Sequence, residues 1–251
     1  MTEILNIGIY KFLFVFLRIG SAFIFMPGFQ NSYVSARQRL TMAVAISIVL
    51  IPFLSEYLPN PPTSFLELIR LCLIESAYGI FLGLIMQILF SALSLVGNFA
   101  GQSIGFANAQ IFDPTTQNQS VVIQTFLSII AITIIFLTDM HHLMLSAVID
   151  SYNVFPAGAD LPISDFSDFM SKTVNESFVT GFKIGAPFIA FSIVFYSGMG
   201  LLSRLMPQLN IFFLSLPMQI YLGVGLLLIT TPIMILWFIR YYEEGLIKFL
   251  H

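Results

Sequence analysis

"LELIRLCLIESAYGIFLGLIMQILFSALSLVGNFA", from Leu66 to Ala100, decides the fold class. Its apolar residues are continuous, and its charges are confined to Glu67, Arg70 and Glu75. The run exceeds the ~20 residues a helix needs to cross a bilayer. A lipid-facing β-barrel needs short alternating segments instead. The stretch is therefore a membrane helix, long enough to demand tilt, a break or protrusion beyond the bilayer.

Five further apolar runs flank it: Ile4–Met26, Leu40–Leu58, Val121–Thr138, Phe178–Ser203 and Ile211–Ile239. The chain reads as an all-α integral membrane protein with about six hydrophobic helices, forming one membrane domain over residues 1–251. Composition agrees: 57% of residues are hydrophobic, 9% are charged and mean hydropathy is +0.92. An ordinary soluble domain is about a quarter charged. A net charge of −3 is too small to argue for a nucleic-acid partner. Cys72 is alone, so an intramolecular disulfide is excluded. Glu3 precedes the first run, Lys11 and Arg18 interrupt it, and no small-residue cleavage site follows before "MPGF", so the first span is expected to be retained.

Prolines end or bend the spans. "YLPNPPTS" (Tyr57–Ser64) closes the second, while Pro187, Pro217 and Pro232, with Gly185, Gly223 and Gly225, mark the late spans as kinked. Between Asp139 and Glu176 lies the longest polar segment. Within it Phe166, Phe169, Met170 and Phe178 are spaced as one face of a short surface helix, with Ser164 as its N-cap. Arg37 and Arg39 in the first loop, and Arg204 in the fifth, place those loops in the cytoplasm and both termini outside.

Charges within spans are few. Lys11 and Arg70 suit snorkelling or local pairing, Arg70 with Glu67 at i,i+3. Arg18 and Glu75 lie nearer helix centres, where a partner in another subunit is as much expected as snorkelling or local pairing. Gly79 and Gly83, and then Gly97, Gly101 and Gly105 with Gln102 among them, follow the four-residue spacing that lets helix backbones approach. Packing within the chain and packing between chains both fit that pattern. "DMHHL" (Asp139–Leu143) is the one cluster that suggests chemistry. Adjacent histidines point about 100° apart on a helix, and the i,i+4 spacing of a zinc-protease helix is missing. No nucleophile motif, phosphate-cradling loop or cofactor motif is present, so no catalytic residue, cofactor or metal is expected.

"IGFANAQIFDPTTQNQS" (Ile104–Ser120) is too polar for lipid, yet Asp113 is its only charge. A protein-lined interior suits it better than either water or lipid.

Four stretches carry a family resemblance: "RIGSAFIFMPGF" (Arg18–Phe29), "GNFAGQSIGFANAQIFDP" (Gly97–Pro114), "HHLMLSAVIDSYNVFPAG" (His141–Gly158) and "LLSRLMPQLNIFFLSLPMQI" (Leu201–Ile220). In this order they resemble the FliR/SctT family of type III secretion export-gate subunits, in its flagellar branch. Asp139-Met140 departs from the pattern, where glycine is expected before the paired histidines.

The resemblance implies hairpins within a helical hetero-oligomeric assembly in the bacterial inner membrane, at the flagellar basal body. Its partners would be FliP-like, FliQ-like and FlhB-like subunits, and its cargo unfolded exported proteins. Residues 1–177 would be built like the first partner and 178–251 like the C-terminal hairpin of the second. A pore plug would comprise Phe106, Asn108, Gln110, Ile111, Phe112, Asp113 and Pro114. Gly97, Gly101, Gln102 and Gly105 would serve subunit packing. Arg204, Met206, Pro207, Gln208 and Asn210 would form a cytoplasmic hairpin turn. The alternatives are the equivalent subunit of a virulence-type secretion system and, from another class, a solute transporter resting on the kinked spans and Lys183.

Overall fold

The structure, a computed structural model, describes residues 2–30, 33–59, 64–105, 119–208 and 211–248. Every regular element among them is a helix: α1 (Thr2–Phe25), α2 (Ala36–Leu54), α3 (Phe65–Ile104), α4 (Gln119–Leu137), α5 (Met140–Val154), α6 (Ile163–Leu205) and α7 (Ile211–Ile247). Five are long and apolar enough to cross a membrane, or six if the broken pair α4–α5 counts as one span. The all-helical membrane class read from the apolar runs holds.

Local chemistry moves several boundaries. α2 starts at Ala36 rather than Leu40 because Ser35 and Gln38 form a capping box: the Ser35 hydroxyl accepts from the Gln38 N–H at 3.4 Å, and the Ser35 N–H donates to Gln38 Oε1 at 3.2 Å. Arg37 and Arg39 therefore sit in the first turns of α2, not in a loop. The expected short helix and the fifth span are one element, α6. Residues 163–180 contain neither proline nor glycine, so nothing stops the helix. Ser164 lies inside α6 instead of capping it, and Asp165 in the first turn complements the helix dipole.

The break between α4 and α5 comes at Asp139, which takes a left-handed backbone (φ 57°). Among the described residues it is the one non-glycine there. Asp tolerates this conformation better than most side chains, which explains why the position resembles a glycine site.

The chain folds into two compact units. The first combines Met1–Leu89, Thr138–Val174 and Glu243–His251; the second combines Phe90–Leu137 and Asn175–Tyr242. In the first, α1 packs on α2 and, through Gly79 and Gly83, against α3. A Cβ on Gly83 would stand 2.5 Å from the Ala22 carbonyl, and one on Gly79 would collide with Ser21 and the Arg18 carbonyl. These two glycines thus serve contact within the chain. Phe166 of α6 stacks on Phe81 of α3 with centroids 3.7 Å apart, and Phe155 meets both Tyr78 and Phe166. So Phe166 belongs to a packed face, whereas Phe178, expected on the same face, is exposed.

In the second unit the same device recurs. A Cβ on Gly97 would lie 2.5 Å from Gln124 Cα in α4, and one on Gly181 would lie 2.7 Å from the Ala92 carbonyl in α3. Phe90 packs edge-on against Phe238 of α7. Ser177 and Tyr241 join their hydroxyls at 2.7 Å. α6 and α7 continue through Pro187, Pro217 and Pro232.

Candidate functional site

In the first unit, α1 and α3 bring Arg18 and Glu75 together. Arg18 Nε donates to Glu75 Oε2 at 2.7 Å, with both side chains fully buried. An isolated buried guanidinium is costly, and here every face is occupied. Nη1 donates to Ser151 Oγ, and Nη1 and Nη2 both donate to the Phe155 carbonyl, all at 3.2 Å. The Tyr152 ring lies 3.8 Å from the guanidinium carbon and Tyr78 4.8 Å. Glu75 Oε1 accepts from the Gly158 N–H at 3.2 Å, and Tyr78 Oη donates to the Ala159 and Asp160 carbonyls. The "FPAG" turn is thereby strapped onto the ion pair, helped by the positive φ of Gly158.

Of the two alternatives the sequence left open, Arg18 and Glu75 take the one within the chain and satisfy each other across 57 residues. Lys11 donates to the Ser55 carbonyl at 3.1 Å, a partner 44 residues away rather than a local one. Arg70 meets Asp160.

A second polar cluster sits in the second unit at the C-terminal end of α3. Gln219 of α7, 2% exposed, donates through Nε2 to the Ser103 carbonyl at 2.8 Å and to Tyr196 Oη at 3.0 Å. Ser103 Oγ donates to the Phe188 carbonyl at 3.0 Å and accepts from Ser192 Oγ at 2.7 Å. Gly105 ends the helix with φ 89°, its N–H donating to the Gln102 carbonyl at 3.1 Å. Gln219 and Ser103 escaped attention in the sequence. The available signal was an amide inside an apolar span, which must find a hydrogen-bond partner there.

The residues singled out from the sequence fall as follows. Gly97, Gly101 and Gly105 are buried, and Gln102 is exposed. Gly97 faces Gln124, and Gly105 faces Gln219. Arg204 occupies the last turn of α6, and Met206, Pro207 and Gln208 follow it, all exposed. Phe106, Asn108, Gln110, Ile111, Phe112, Asp113, Pro114 and Asn210 lie outside the described residues.

At the α4–α5 break, donor atoms of Asp139, His141 and His142 lie within 4.8 Å of one another, and the two imidazoles are 4.1 Å apart. The turn at Asp139 brings the carboxylate to the histidines. Tetrahedral zinc with bonds of about 2.0–2.1 Å spaces its ligands by roughly 3.4 Å. His142 Nδ1 and Asp139 Oδ1 stand 3.7 Å apart, slightly wider than that spacing. Asp139 and His142 are largely exposed.

Fold and site together define a multi-pass helical membrane protein with a buried polar cluster in each of its two units. The family model described as "Bacterial export proteins, family 1" matches residues 9–245, and the chain belongs to that family. It is 31% identical to the flagellar biosynthetic protein FliR of Caulobacter vibrioides over 94% of both chains. It is 28% identical to the protein of that name from Bacillus subtilis, covering 87% of this chain and 85% of the relative. With the Escherichia coli protein identity is 27%, over 91% and 85%.

Proposed function

We propose that the chain is a subunit of the export gate of a flagellar type III protein secretion system in the bacterial inner membrane. The observation that carries this reading is similarity, nearly end to end, to proteins named flagellar biosynthetic protein FliR. The flagellar names favour this branch over the virulence-type one.

In this reading the chain joins FliP-like, FliQ-like and FlhB-like subunits, with residues 1–177 resembling the first partner and 178–251 the second. Unfolded proteins pass through the shared pore, and no covalent chemistry is required. Phe106, Ile111 and Phe112 fill the closed lumen, where a hydrophobic constriction blocks ions by dewetting. Asn108 and Gln110 bond neighbouring loops, and Asp113-Pro114 sets the turn. Gln102, exposed at the end of α3, is available to a neighbouring subunit, beside Gly97, Gly101 and Gly105. The exposed Arg204, Met206, Pro207 and Gln208, with Asn210 after them in the sequence, form a hairpin turn that faces the cytoplasm.

A tagged chain should co-purify with several small membrane proteins, and deleting residues 109–115 should make the assembled complex leak small ions. A chain that purifies alone and transports a solute contradicts the gate reading. An assembled complex with unchanged ion permeability contradicts the plug.

A further inference from the structure

We infer that Gln219 is a positioning residue: it latches the last turn of α3 to α6 and α7, and so fixes where the chain leaves that helix. The last four carbonyls of an α-helix have no partner inside it. At the end of α3, Gly105 N–H serves the Gln102 carbonyl and the Gln219 amide serves the Ser103 carbonyl. The same amide group donates to Tyr196 Oη, and the Ser103 hydroxyl is tied to Phe188 and Ser192. Three helices thus converge on one buried turn. The fit is tight: a Cβ on Gly105 would stand 2.9 Å from Gln219 Cδ, and one on Gly223 would stand 2.9 Å from Ile104 Cα. An apolar side chain at position 219 would strand the Ser103 carbonyl without water.

Donation, not bulk, is what the latch requires. Leucine removes the donor; methionine removes it too while keeping the length of the side chain. The inference rests on the plug reading only for its effect on permeability, so two measurements separate them. In a Cys72→Ser background, Ile104→Cys places a thiol in the turn at a fully buried position. A membrane-permeant thiol reagent should label it about tenfold faster with Gln219→Leu, as expected for loss of a buried hydrogen bond. Gln219→Met, which keeps the length but not the donor, should label as fast as the leucine variant. A thiol at Ala22, buried in the first unit, should label slowly throughout.

Equal labelling at position 104 with glutamine and leucine overturns the latch. If leucine speeds labelling at both positions, Tyr196→Phe decides: it must speed labelling at position 104 alone, or the latch falls. In the assembled complex Gln219→Leu should also leak ions. Fast labelling without a leak supports the latch and contradicts the plug. A leak on shortening the loop, with labelling at position 104 unmoved by leucine, supports the plug and contradicts the latch.

Discussion

Arg18 on α1 and Glu75 on α3 meet at 2.7 Å with neither side chain exposed, and the "FPAG" turn closes over the pair. Removing one partner leaves a buried charge without its counter-charge, which costs about 3–5 kcal/mol. Arg18→Met and Glu75→Gln should each sharply lower the thermal midpoint of the purified chain. The double substitution Arg18→Met with Glu75→Leu should recover much of the loss. Equal melting of the single variants and the wild type would contradict the pairing.

Asp139 holds a left-handed backbone, so its side chain costs conformational energy there. Asp139→Gly should leave stability unchanged or raise it by up to about 1 kcal/mol, whereas Asp139→Val should lower it by about 1–2 kcal/mol. Thermal unfolding in detergent ranks the three. A more stable valine variant would rule out the left-handed assignment.

Gly83 and Gly198 separate packing glycines from open ones. A methyl at Gly83 has the Ala22 carbonyl in its way, while nothing lies within 4 Å at Gly198. Gly83→Ala should destabilise by about 1–3 kcal/mol or more through overpacking. Gly198→Ala should be neutral or gain up to about 1 kcal/mol in the isolated chain from helix propensity. Reversed signs would mean that α1 and α3 do not pack as described.

Ser35→Ala removes one half of the capping box at α2 and should cost about 1 kcal/mol. Faster hydrogen exchange at the first amides of α2, with α3 unchanged, is the expected reading. Unchanged exchange would argue against the cap.

The apolar runs made the membrane helices legible because a span's length is set by the bilayer, a signal local to the sequence. Pairing was not local. Arg18 and Glu75 are 57 residues apart, so each looked unpartnered along its own helix. The single α6 was hidden by its change from an amphipathic to an apolar stretch near Phe178, a change of surroundings rather than of backbone. "SARQ" held the start of α2 in plain view as a capping box. Gly79, Gly83 and Gly97 were legible as close-approach positions, but spacing alone could not say which helix approaches. Gln219 could be flagged as an amide in an apolar run, but its acceptor on Ser103 is a backbone carbonyl, which no side-chain motif records.

The most direct test of the export-gate account is deletion of the gene followed by assay of motility and of export of hook and filament proteins. The account predicts non-motile cells that retain those proteins in the cytoplasm, with both defects restored by the wild-type chain supplied in trans. Motile cells with normal export would contradict it.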